Sequence, residues 1–282
     1  MSASTTSGGD VLRSGAAVVL ATAVPLSTQL ARWTGRGTPE VEQATASEGP
    51  VTPAAGAFVI WAPLFAGNLI YAVSDLKGVR NGGGVSPGAG WLANAALAGN
   101  IAWSVNSQFR RLDEASVALI GGSLATSAAA VALAERRRDR PENRTLARCI
   151  GALAGWLSVA TFANVETTLN LRRGHPDDEA ATRRAAALVG VASVAASAIC
   201  IGLRGNPAFA LAAGWGLGGV ALKARRRGQW PVASAATAGL VAVAAGSIGR
   251  RSSAVRGSVD VERTGDEPSA GLSASRAPGR RA

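Results

Sequence analysis

The side chains able to do specific chemistry in this 282-residue sequence are mostly uncharged ones set inside long apolar runs. Asn100, Trp103 and Ser107 recur at i, i+3 and i+7 and share one helical face. Trp156, Ala160 and Asn164 fall within about an 80° arc of another helix. Trp61 sits comparably deep in an earlier run. Helices that present indoles and carboxamides can line a pocket with aromatic walls and a few polar anchors, the usual character of a small-molecule site. The same residues also suit plain interhelical hydrogen bonding, and composition leaves the two readings level for Trp61, Trp103 and Trp156. Catalysis has less to work with. His175, the one histidine, lies in a charged loop, and Cys149 and Cys200 lack metal-type spacing. No acid–base pair or nucleophile–base arrangement is present. Glu166 is the one acid in its apolar run, about 200° round the helix from Asn164. An ionisable group at membrane depth is a functional hypothesis. Its nearness to Arg172 predicts instead a headgroup-level position or a pair with Arg183 or Arg184.

These groups need elements that hold them away from water. The chain is 48% hydrophobic and only 17% charged, with 35 glycines, a net charge of +11 and a pI near 11.4. The charges sit in clumps between uncharged runs, as at membrane-helix boundaries, so the basic balance points to membrane topology and no nucleic-acid partner is expected. Eight runs approach the ~20 residues of a spanning helix: 14–31, 53–76, 90–109, 115–134, 149–171, 185–203, 206–222 and 231–248. The expected fold is all-α, a polytopic helical bundle of about eight spans. Residues 1–13 read as an N-terminal tail and 250–282 as a disordered basic tail rich in Ser, Gly, Arg and Pro. Ala21-Thr22-Ala23 has a signal-cleavage form, but the apolar run continues to Ala31, so the segment is expected to stay as a first span. Trp33, Trp91 and Trp230 lie at segment ends, where interfacial tryptophans belong. Gly151-x-x-x-Gly155 and Gly214-x-x-x-Gly218 read as close-packing surfaces. With the N-terminus inside, inner segments carry 17 Lys and Arg against 12 outside, a narrow margin.

Four motifs then fall into register. Gly155-Trp-Leu-Ser-Val-Ala-Thr-Phe-Ala-Asn164, followed by Leu169-Asn170, resembles the fifth-helix signature of the TspO/MBR family, the tryptophan-rich sensory or translocator proteins. Asn100-Ile-Ala-Trp103-Ser104 is similar to that family's third helix, and Trp61 to Tyr71, with Pro63 and Gly67, to its second. Val24-Pro25 before a long loop fits the end of its first helix. The likeness covers about residues 11–173, so residues 14–173 are expected to form a five-helix bundle and 174–249 three additional helices. Leu153-Ala154-Gly155 stands where the family carries Pro-Tyr before the Trp, and Val105-Asn106 replaces its aromatic pair.

The resemblance implies a pocket among five membrane helices, covered by the loop after the first, for porphyrins, haem intermediates or sterols in a sensory, regulatory or transport role. Carried across, the ligand-binding residues are Trp61, Asn100, Trp103, Trp156 and Asn164, with residues 32–52 as the lid. A tetrapyrrole is the ligand it suggests, without haem-iron ligation, and no other cofactor or metal is expected. The lipid bilayer, a hydrophobic small molecule and a second copy of the chain are the expected partners, in the cell membrane. A structural or partner-binding membrane protein is the alternative, and a membrane enzyme acting on a tetrapyrrole a third.

Overall fold

The computed structural model describes residues 7–37, 49–110, 112–173 and 179–265, with Arg173 and 250–265 by backbone alone. Eight long helices alternate in direction: α1 (Gly8–Ser27), α2 (Trp61–Arg80), α3 (Pro87–Phe109), α4 (Glu114–Glu135), α5 (Pro141–Arg173), α6 (Glu179–Gly202), α7 (Pro207–Arg226) and α8 (Trp230–Gly265). No strand occurs among the described residues. Their starts follow local chemistry. Ser7 caps α1 by accepting the Asp10 N–H, Asp113 caps α4 through the Ser116 N–H, and Asn206 Oδ1 accepts from Ala208 and Phe209 at the head of α7. Proline occupies the first turn of α3 and α7, where its missing N–H costs nothing.

Six of these helices are long and apolar enough to cross a membrane, all but α3 and α7. In α3 the polarity is turned inward as interhelical glue. Asn94 Nδ2 donates to the Arg13 carbonyl (2.9 Å), Asn106 Nδ2 to Ser116 Oγ (2.8 Å) and Gln108 Nε2 to the Ser27 carbonyl (2.7 Å). In α7 the cations Lys223, Arg225 and Arg226 crowd the last turn, beside the negative end of the helix dipole.

The first five helices close into a ring, each packing chiefly on two neighbours in the order α1, α2, α5, α4, α3 and back to α1. A second ring of four, α5, α7, α8 and α6, shares α5 with the first. Position in both rings explains the burial of α5. Within its spanning window 67% of residues lie inside the protein, against 28–33% for the other five candidate spans. Gly155 permits the shared edge, since a Cβ there would meet the Phe209 backbone of α7. Gly151 meets Asn206 in the same way, so this glycine pair is a close-packing surface as expected. The pair Gly214 and Gly218 is not. A Cβ at Gly214 would meet nothing within 4 Å, and at Gly218 only Leu240 at 3.7 Å; the close contacts of α7 fall instead at Gly216, against Val159, and at Gly219.

Three boundaries differ from the sequence reading. Helix α1 begins before residue 14 and takes in Arg13, which is buried in a bidentate ion pair with Asp75 of α2 (2.5 and 3.2 Å). Asp75 Oδ1 also accepts the Val85 N–H (2.8 Å), so both charges are stabilised without solvent. The second span runs from Ala55 rather than Pro53, and its first six residues, Ala55–Ile60, are wound as a 3₁₀ helix ahead of α2, with Ala54 and Ala57 hydrogen-bonded to α7. Helix α8 continues past the expected boundary at 250 to Gly265. Residues 1–6 of the expected N-terminal tail, lid residues 38–48, His175 and residues 266–282 lie outside the described residues.

Candidate functional site

Opposite the Arg13–Asp75 end, α2, α3 and α5 bring their aromatic rings together. Trp61, the first residue of α2, stacks on Trp103 of α3 (centroids 6.3 Å, planes 20° apart) and on Phe65 one turn on (5.5 Å). It meets Trp156 of α5 edge-on at 6.0 Å, and Phe58 from the 3₁₀ turn meets the same indole edge-on at 5.6 Å. Both arrangements are favoured by the aromatic quadrupole. Trp103 Nε1 donates to Asn164 Oδ1 (3.0 Å), and Asn164 Nδ2 donates on to the Ala160 carbonyl (2.9 Å). Four of the five residues expected from the sequence therefore share one cluster. Asn100, the fifth, is buried one turn from Trp103 on the same face of α3.

The cluster is not saturated. The Trp156 indole N–H is buried without a protein partner, and so is Asn100 Nδ2. On α2, which follows the spacing Leu64, Asn68, Tyr71 and Asp75, neither amide atom of Asn68 nor the Tyr71 hydroxyl has one. Asn68 and Tyr71 are both fully buried. Each such group costs about 1–3 kcal/mol if nothing meets it, so a collection of them inside a helical ring is out of place in a purely structural core. Asn68 and Tyr71 were visible in the second-helix motif, but only their burial singles them out. Phe58 was hidden by the expectation that 53–60 is helix.

Glu166 does not make the arginine pair expected of it. Its carboxylate is 4% exposed and accepts the Val51 N–H at 2.7 Å, at the chain segment leading into the 3₁₀ turn. It pairs with neither Arg183 nor Arg184; Arg183 binds Glu179 at 2.6 Å instead. The buried donor on Val51 outcompetes a solvated guanidinium as a partner. Arg172 pairs with Glu114 at the periphery, while the buried Glu135 pairs with Arg138 and accepts from Asn206 Nδ2 at the head of α7. Trp33, Trp91 and Trp230 are exposed at their segment ends.

Among the described residues no group of three His, Cys, Asp or Glu could hold a metal, and both cysteines are free. What the cluster offers is two stacked indole faces, a third indole across them, and hydrogen-bond donors without partners. Compared with known proteins, a family model described as TSPO-like protein matches residues 12–249. No curated protein and no solved structure matches the chain.

Proposed function

Because the chain belongs to the TSPO-like protein family and carries six helices able to cross a bilayer, it is an integral membrane protein, and we propose that the α1–α5 ring binds a flat, largely apolar small molecule of porphyrin or sterol type. The role is sensory and regulatory, or transport. The observation that carries this reading is the buried, partnerless N–H of Trp156, whose ring is met edge-on by both Trp61 and Phe58. Indole faces suit a planar ring system, while Trp156, Asn100, Asn68 and Tyr71 supply donors for its acceptor groups. A tetrapyrrole would be held by its faces and edges, through Trp61, Trp103 and Trp156. Asn164 acts indirectly, by fixing the Trp103 indole.

The protein is proposed to reside in the cell membrane, with lipid against its outer faces and a second copy as a partner. A structural reading draws on the Trp103–Asn164 bond, which already satisfies two of the polar groups. Titration of the purified protein against a porphyrin panel, read by quenching of tryptophan emission, separates the two. Saturable quenching that weakens in Trp156→Ala more than folded yield falls supports the ligand site. Equal losses of binding and yield, or quenching that never saturates, would favour packing alone.

A further inference from the structure

We propose that α7, one of the three C-terminal helices, is a working part of the α1–α5 site: it grips the strap formed by residues 49–60 and thereby holds Phe58 and Trp61 against Trp156. The strap stands on contacts alone, and only its consequence for a ligand rests on the binding site proposed above.

Four side-chain or backbone groups of α5 and α7 fasten this strap. Lys223 Nζ donates to the Gly49 carbonyl (3.1 Å) and Glu166 Oε2 accepts the Val51 N–H (2.7 Å). The Ala54 N–H donates to the Gly219 carbonyl (3.1 Å), and Trp215 Nε1 donates to the Ala57 carbonyl (2.8 Å). Each bond reaches a strap backbone group, so together they fix the path of the chain rather than one side chain. Gly219 lets the two backbones meet. A Cβ there would lie 2.8 Å from Ala57 Cβ and 3.0 Å from Pro53 Cβ, neither of which can swing aside.

The strap ends where the aromatic cluster begins. Phe58, 40% exposed, lies edge-on over Trp156, which is 1% exposed, and Trp61 follows three residues later. Phe58 is therefore the outer cover of the buried indole, and its backbone is held one residue away, at Ala57, by Trp215. This explains why Trp215, half-exposed on the outward side of α7, turns its N–H inward. The second helical ring thereby acts on the first, since displacement of α7 relative to α5 pulls on the strap and uncovers Trp156.

The experiment uses the full-length protein in nanodiscs, with Trp215→Phe, which removes the N–H together with the pyrrole half of the indole but keeps an aromatic ring, and Gly219→Val, which presses on Ala57 and Pro53. Leu211→Ala, at a 75% exposed position of α7, is the control. Amide hydrogen exchange across 49–60 is read first and is expected to rise at least tenfold in both variants and not in the control. Protein labelled with 5-fluorotryptophan reports the cluster without any ligand; the Trp61 and Trp156 resonances are expected to shift in both variants. Release of a bound protoporphyrin is expected to accelerate at least fivefold.

Unchanged exchange across the strap in the folded variants overturns the proposal, as does a loosened strap with unmoved Trp61 and Trp156 resonances. If Gly219→Val does not fold, Trp215→Phe decides. A wild-type protein that retains no porphyrin sinks the ligand reading, while exchange and fluorine shifts still judge the strap.

Discussion

At the scale of single residues, two tryptophans of one cluster should respond differently to the same substitution. Trp103 donates its N–H to Asn164, so Trp103→Phe leaves a buried carboxamide oxygen unpaired. A loss of about 1–3 kcal/mol is expected, visible as a lower Tm in detergent. Trp156 makes no such bond. Trp156→Phe keeps an aromatic ring against Trp61 and Phe58 and removes an unmet donor, which offsets part of the cavity cost of the smaller buried ring. The opposite balance is therefore expected: porphyrin affinity falls while stability falls less than in Trp103→Phe. A stability loss in Trp156→Phe as large as in Trp103→Phe would mean that its N–H has a structural partner after all.

At the scale of elements, the ring of five helices is tied at one end by charge and at the hub by a glycine. Removing one member of the Arg13–Asp75 pair leaves the other buried with a poorer partner, for Arg13 only the longer contact to Asp10 at 3.6 Å, at a cost of about 3–5 kcal/mol. Asp75→Leu alone is therefore expected to lose most folded protein by size-exclusion chromatography. The double variant Arg13→Met with Asp75→Leu should recover much of it, because neither charge is then buried alone. The α5–α7 contact is tested by Gly155→Ala. Its Cβ points at the Phe209 backbone, which has no rotamer to escape into. That substitution should loosen the second ring, raising exchange in α7, while an alanine at Gly214, where nothing lies within 4 Å, should leave α7 unchanged.

For the whole molecule, strict alternation of eight helices makes a topological prediction that six spans would not. Arg137 and Arg204 lie at the same end as Arg13, and Arg110 and Arg227 at the other. Single cysteines at Arg137 and Arg204 should react with an impermeant maleimide from one side of the membrane only, and cysteines at Arg110 and Arg227 only from the opposite side. If α3 and α7 did not cross, the loops after α3, α4, α5 and α6 would change sides, so Arg110, Arg137 and Arg204 would each label from the side opposite to that expected, while Arg227 would not move. The narrow excess of basic residues on the Arg13 side leads us to expect labelling at Arg137 and Arg204 from the interior side.

Sequence alone determined the features that depend on local composition. Apolar runs bounded by charge produced eight helices, since a backbone in lipid has few other ways to satisfy its own hydrogen bonds. Helical spacing placed Asn100 with Trp103 and Trp156 with Asn164, since residues three, four or eight apart share a face whatever surrounds them. What local pattern cannot carry is which faces meet. Arg13 reads as a flanking charge until Asp75, far along the chain, is brought beside it. Residues 53–60 read as plain span because they are apolar; that the entry to this span is also a strap is decided by α7, which supplies the Gly219 carbonyl and the Trp215 N–H. Glu166 reads as a partner for a nearby arginine, yet its partner is a backbone amide of the strap itself, that of Val51. In each case the deciding contact joins segments distant in sequence, and only the closed packing of both helical rings puts them within reach.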